Sequence, residues 1–171
     1  MSDSNGSAPP RFEFVTDWQM LDPADGEAIC EFWRREGALN DDAQMKARLP
    51  QVVAHARNDQ GVVAVCTAVP MTPPAFGQPV YYFRAFVGKD WRTTTVFKQL
   101  YKRAQVVLEN FARERDFPCI GILLELENNR FKEKGRTAVW WNPRFVYIGR
   151  SQRGLDLRMF YFKGAKLKAA K

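Results

Sequence analysis

Two cations and three consecutive hydroxyls, Lys89, Arg92, Thr93, Thr94 and Thr95, sit in a short polar turn. The turn lies within the stretch YYFRAFVGKDWRTTTVFKQLYKRAQVVLENFAR, Tyr81 to Arg113, between an aromatic run and a long apolar-striped segment. A helix that opens beside a strand end leaves backbone N–H groups unpaired and presents the positive end of its dipole, so this turn suits a phosphate or pyrophosphate. The threonines add hydroxyl donors, and Lys89, Arg92 and Lys98 add charge. A second group follows at the end of CIGILLELE, where Glu125 and Glu127 share one face of a strand end and Asn128 and Asn129 come next. Either acid can serve as a general base or stand as a solvated strand-end charge, and either asparagine can cap a turn.

Other chemistry finds less to stand on. His55 is the only histidine and has no carboxylate or cysteine at ligand spacing along the chain, which reads as a structural or surface residue. Cys30, Cys66 and Cys119 lie far apart and form no CxxC, so neither a zinc site nor a disulfide framework is indicated. The chain holds no HExxH, nucleophile elbow or Walker loop, which leaves metalloprotease, α/β-hydrolase and P-loop readings without support.

The elements that must position these residues follow from periodicity. Val96, Phe97, Leu100, Tyr101, Ala104, Val107, Leu108 and Phe111 recur at helical spacing, predicting a long helix that closes near Asp116 and lies on a sheet. Arg11 to Thr16 alternates as a first strand. Asp22-Pro23 starts a helix whose stripe is Ala28, Ile29, Phe32 and Trp33 and which stops near Gly37, and a second short helix runs between Asn40 and Pro50. Val52 to Arg57 and Val62 to Met71, joined by NDQG, read as a hairpin. A Pro/Gly loop leads to the strand Val80 to Val87. After the buried strand CIGILLELE, an irregular helical stretch is expected from Arg130 to Trp141, then two strands, Phe145 to Gly149 and Leu155 to Phe162, and a frayed basic tail. This order belongs to an α/β (α+β) domain with a mixed central sheet of about seven strands flanked by helices.

At 171 residues the chain is the size of one domain, large enough to bury a core without disulfides. Its net charge of +7 favours an anionic partner: nucleic acid, a phosphorylated cofactor or an acidic carrier protein. The basic C-terminal third (Arg144, Arg150, Arg153, Arg158, Lys163, Lys166, Lys168), with the aromatic clusters YYF, WW and FYF, can make a stacking and phosphate platform for single-stranded nucleic acid or simply a sheet core with a wet face. MSDSNGSAPP carries no leader pattern and is expected to be disordered, and no run is long enough to span a bilayer, so a cytoplasmic location is expected.

The order of elements and two local motifs resemble the GNAT superfamily of acyl-CoA-dependent N-acyltransferases, over about Arg11 to Phe162. FVGKDWRTTTVFKQL is similar to the family's Arg/Gln-x-x-Gly-x-Gly/Ala frame, with Arg92 first and Leu100 at the expected distance, while Thr95 and Phe97 replace the two small residues. WWNPRFVYIGR resembles the family's Tyr ahead of a Gly-Phe strand entry, with Trp140, Arg144 and Phe145 in those places. The resemblance implies residues 11–163 as one acyltransferase domain between tails 1–10 and 164–171. It implies acetyl-CoA or another acyl-CoA as donor, or an acyl carrier protein thioester such as acyl-homoserine lactone and N-acyl amino acid synthases use. By the same resemblance a small-molecule or peptide amine would be the acceptor, and no metal would take part. The donor site would comprise Phe86, Val87, Arg92, Thr93, Thr94, Thr95, Val96 and Asn128, with strand N–H groups near Phe86 and Val87 facing the thioester carbonyl and Asn128 on the pantetheine arm. Glu125 or Glu127 would be the base, and Tyr147 would stand in for the family's tyrosine, as Tyr81 or Tyr82 also can, since the indole of Trp140 cannot ionise. A domain that has lost its cofactor loop and binds an anionic ligand, a protein partner or nucleic acid is the alternative.

Overall fold

The computed structural model describes residues 11–74, 76–92, 94–127 and 137–168, with the backbone but not the side chain of Thr94. The tail 1–10 lies outside the described residues. An eight-stranded mixed sheet runs in the order β1-β2-β3-β4-β5-β8-β7-β6, with helices on both faces. Its strands are β1 (Glu13–Thr16), β2 (Val52–Asn58), β3 (Gly61–Met71), β4 (Val80–Val87), β5 (Gly121–Glu125), β6 (Val139–Trp140), β7 (Phe145–Arg150) and β8 (Asp156–Tyr161). Every neighbouring pair is antiparallel except β4 and β5. That exception follows from chain connectivity, because the long helix between these two strands makes a crossover that returns the chain in the same direction.

Local chemistry accounts for the helix limits. Helix α1 (Pro23–Arg35) starts where the Asp22 side chain accepts the Ala24 N–H at 2.8 Å and Pro23 fixes the first turn. It ends before Gly37, whose φ of +67° suits a residue without a Cβ. Helix α2 (Asp42–Arg48) is capped in the same way, with Asp41 accepting from the Gln44 N–H at 2.7 Å. Gly26, Ile29, Phe32 and Trp33 make the buried stripe of α1, and they close with Met45 over one face of β2 and β3.

Helix α3 (Thr94–Glu114) covers the opposite face. Val96, Leu100, Tyr101, Ala104 and Leu108 are fully buried there, and Phe97, Val107 and Phe111 are half-buried, as the spacing predicts. Burying a large apolar side chain is worth about 1.5–3 kcal/mol, far above the tenths that separate helix propensities, so packing sets this helix in place. Strands β2 and β3 read as unbroken apolar runs because they have a helix on each side.

Two expectations are corrected. The stretch expected to be helical, 130–141, has its first part, 130–136, outside the described residues, and Val139–Trp140 pairs with Val146 and Phe145 as strand β6. A β-branched residue and an aromatic one favour that pairing, and the Asn142-Pro143 turn with Arg144 at φ +63° reverses the chain. With β6 the sheet has eight strands, in keeping with the mixed sheet of about seven that the sequence predicts. The basic tail is held as far as Lys168: the Gln78 side chain donates to Lys166 O at 3.0 Å and accepts from the Lys168 N–H at 2.9 Å.

Candidate functional site

The parallel pair that α3 creates does not run the length of its strands. Tyr81, Tyr82 and Phe83 pair with Ile122, Leu123 and Leu124, and beyond them β4 continues to Val87 with β3 alone as partner. The two strands part, and a cleft of about 260 Å³ opens between them. Strand alternation sends side chains from this gap to both faces of the sheet. Phe83, Ala85, Leu124 and Leu126 turn toward α3, while Tyr82, Arg84, Phe86 and Glu125 turn toward α1 and α2. The cleft is thus lined from both layers, with Phe97 on the α3 side and Trp33, Leu39 and Arg48 on the other.

Backbone polarity in the gap follows from one hydrogen bond. The Gly88 N–H donates to Val63 O at 2.8 Å, so every second residue back along β4, Phe86 and Arg84, spends its backbone groups on β3. The N–H groups of Ala85 and Val87 face the side from which β5 has departed. Of Phe86 and Val87, it is Val87 whose N–H points into the gap. Its carbonyl accepts from Arg92 Nε at 3.2 Å.

The turn after β4 is a short 3-10 segment, Lys89–Trp91, leading into α3. Arg92 is exposed, with its guanidinium 5.8 Å from the Phe86 ring centroid. Thr95 is exposed on the first turn of α3, and Val96 is buried beneath the sheet, where only its backbone can meet a ligand. Thr93 and Asn128 lie outside the described residues, as does the side chain of Thr94. One backbone donor of the loop is already engaged, since the Lys89 N–H donates to Glu36 Oε2 at 3.0 Å. Phe97, standing where a small residue is expected, stacks on Tyr101 with centroids 6.2 Å apart and narrows the cleft without closing it.

The two acids differ. Glu125 accepts from the Tyr82 hydroxyl at 2.5 Å and from Arg153 Nη2 at 2.6 Å, and Arg153 Nη2 also donates to Glu127 Oε1 at 2.7 Å. Burial pushes the Glu125 carboxyl up, but the hydrogen bonds from Arg153, Ser151 and Tyr82 outweigh it and hold the group at about 2. Such a carboxylate is a weak proton acceptor at neutral pH. Glu127 is 65% exposed at the cleft mouth and is the freer of the pair.

The tyrosines divide likewise. Tyr82 lines the cleft, with burial first and Glu125 second raising its phenol above the ordinary range. Tyr81 is buried against Trp18, Phe117 and Phe162. Tyr147 is 40% exposed on β7 and does not line the cleft. Trp140 does line it, with the Arg158 guanidinium 3.9 Å from its ring centroid.

His55 has carboxylate neighbours that spacing along the chain cannot reveal. It is fully buried, with Nδ1 2.8 Å from Asp17 Oδ2 and Nε2 3.9 Å from Asp25 Oδ1. These three residues bring ligand-type atoms within 4.8 Å of one another, and Asp25 Oδ1 also accepts from Arg57 at 3.0 Å. No helix among the described residues is long and apolar enough to cross a membrane.

The Glu125 network has a readable pH signature. Its folded pKa, about 2, lies below the ordinary 4.5, so the stabilisation is present above pH 4.5 and is lost as pH falls toward 2. Arg153 is 57% exposed, so solvent screens the pair and keeps its contribution small. Arg153→Ala should lower the urea midpoint at pH 7 and flatten its fall between pH 5 and pH 2.5, and parallel pH curves for the two proteins would disprove the assignment.

No protein-family model matches the chain, and no curated protein does. Solved structures do. A GNAT-family acetyltransferase from Streptococcus pneumoniae aligns at TM-score 0.58 and 10% identity, over 89% of this chain and 99% of that one. The ribosomal-protein-S5-alanine acetyltransferase from Vibrio fischeri aligns at 0.58 and 10%, over 91% and 95%. An N-acyl amino acid synthase from uncultured soil microbes aligns at 0.57 and 11%, over 91% and 93%. Together with the parted strands β4 and β5, these alignments show that the chain has the fold of the GNAT superfamily.

Proposed function

We propose that this protein is an N-acyltransferase, moving an acyl group from an acyl-CoA or an acyl-carrier-protein thioester to an amine. The observation that carries the reading is the gap beyond Phe83 and Leu124, which gives two reactants separate approaches to one backbone edge. The names of the like-folded proteins, acetyltransferases and an N-acyl amino acid synthase, agree with it. Aminolysis of a thioester forms a C–N bond and breaks a C–S bond. It needs a donor for the developing oxyanion, an acceptor for the amine proton and a proton for the departing sulfur.

In this proposal the Val87 N–H donates to the thioester oxygen. Arg92, Thr93, Thr94, Thr95 and the backbone of Val96 hold the donor's phosphate at the start of α3, and Asn128 holds its amide arm. Glu127 takes the amine proton, directly or through water. Glu125, engaged by Arg153, fixes the Tyr82 phenol in the cleft. Tyr82 replaces Tyr147 as the phenol nearest the reaction, and solvent returns the sulfur proton.

Acetyl-CoA and longer acyl-CoAs, each measured against its free acid, test the reading by thermal shift. A donor at a hundred times its Kd adds about 2.7 kcal/mol, which raises the melting temperature by several degrees. A flat response to every CoA thioester and to acylated carrier protein would sink it. Phe97→Gly should strengthen donor binding several-fold, because it restores the small residue beside the loop, and weaker binding would show that the ring supports the donor.

A second reading rests on the Lys89 N–H, already engaged by Glu36: the domain binds an anionic ligand or partner without catalysis. Nucleic acid suits that role less well, because Arg158 is buried and Arg153 and Arg150 lie on carboxylates of their own chain.

A further inference from the structure

The cleft is electrically divided. Arg48, at the end of α2, and Arg84, on β4, line one side, and Glu125 and Glu127, at the end of β5, line the other. Tyr82 spans the two, with its ring 4.5 Å from the Arg84 guanidinium and its hydroxyl on Glu125. The acids already have a cation in Arg153. Among the described residues the guanidinium of neither Arg48 nor Arg84 makes an ion pair or hydrogen bond.

Two guanidiniums on one cleft wall repel each other, and Arg48 is half-buried, so its charge also loses hydration. Burial first, and the Arg84 charge second, lower the Arg48 pKa, which places the two groups within electrostatic reach. An arginine pair left facing a cleft in this way matches a planar anion that takes two parallel N–H bonds, above all a carboxylate. The wall beside it, Trp33, Ala38 and Leu39, is apolar. This is the face of the sheet turned toward α1 and α2, opposite the layer that carries Phe97 and the rest of α3.

We infer that Arg48 and Arg84 bind the carboxylate of the acceptor, so that the amine acylated here belongs to a free amino acid with an apolar side chain. The inference rests on the acyltransferase reading and names its acceptor class. With the carboxylate on the arginines, the amino group is left toward Glu127 and the β4 edge, and the apolar side chain meets Trp33 and Leu39. A plain amine has nothing to satisfy either guanidinium, and a peptide N-terminus carries its carboxylate too far away.

The test uses three probes of one shape: phenylalanine, phenethylamine, which lacks the carboxylate, and 3-phenylpropionate, which lacks the amine. Calorimetry without donor measures binding, and thiol release from acetyl-CoA measures transfer. Phenylalanine and phenylpropionate should bind, and phenethylamine should bind about tenfold or more weakly. Arg84→Met and Arg48→Met should each abolish that preference, and Arg84→Lys should restore part of it. Melting temperatures show whether Arg48→Met still folds, and the exposed Arg84 supplies the second variant. Equal binding and acylation of phenethylamine and phenylalanine, or a preference untouched by both variants, overturns the inference and leaves the transferase reading standing. Arginine-dependent phenylalanine binding with no thiol release from acetyl-CoA, longer acyl-CoAs or acylated carrier protein supports the carboxylate subsite and overturns the transferase.

Discussion

Val87→Pro should lower acyl transfer by about 10²–10³-fold, the usual cost of one oxyanion donor, while leaving the melting temperature within a few degrees. Proline removes a single hydrogen atom from the backbone of interest, and the position tolerates the ring for three reasons. The Val87 N–H faces the gap, so no bond to β3 is lost. Phe86 before it lies in a strand, the conformation a residue ahead of proline prefers. The bond from the Gly88 N–H to Val63 O lies one residue beyond and survives. Phe86→Pro supplies the contrast. It removes an N–H that the ladder alternation assigns to Val65 and the ring that packs edge-on to Phe32 at 5.8 Å, and it should cost about 3 kcal/mol or more. Steady-state rates with a fixed donor, read beside thermal melts, separate the two effects. Full activity in a folded Val87→Pro protein would remove this backbone edge from the chemistry.

Periodicity alone does not mark that edge, which only the family resemblance places near Phe86 and Val87, and the reason is one of range. The β2–β3 hairpin was legible because NDQG is a local turn signal, and α3 because its stripe repeats within one continuous segment. The end of β4–β5 pairing has no such mark. Pairing stops after Phe83 and Leu124, yet Val80 to Val87 reads as one unbroken strand. Strand β6 is two residues long, shorter than any window in which alternation can be counted.

The candidate site divides in the same way. Phe86, Glu125 and Glu127 line the cleft, and Val87 and Arg92 adjoin it, because all of them flank the crossover between β4 and β5. Tyr147, expected as a stand-in for the family's tyrosine, sits on the far side of β8. Long-range partners were out of reach: Arg153 meets Glu125 across 28 positions, and His55 meets Asp17 across 38. Arg48, at the end of α2, and Arg84, on β4, come together only at the folded cleft. A formal charge of +7 gives no hint of which cations face the cleft.

Gly121→Ala should be the most damaging small substitution in the sheet. An added Cβ would lie 2.2 Å from the carbonyl oxygen of Phe160 and 2.7 Å from the Met159 terminal methyl. Met159 can rotate its thioether away, but Phe160 O belongs to the backbone of β8, which pairs with β5 from Gly121 to Glu125. Relief therefore requires β5 and β8 to separate at the foot of the cleft, where Phe160 and Phe162 also pack against the core beneath α3. The backbone of Gly121 is not in the left-handed region, so the demand here is space and not conformational freedom. Overpacking against flexible side chains costs about 1–3 kcal/mol, and against fixed backbone we expect about 3 kcal/mol or more. Equilibrium urea unfolding would register this as a lower midpoint at unchanged slope. The same shift moves Glu125, four residues along β5, relative to Tyr82 on β4, so activity should fall by more than the loss of folded protein explains. A Gly121→Ala protein as stable as the parent would disprove this close approach of β5 and β8.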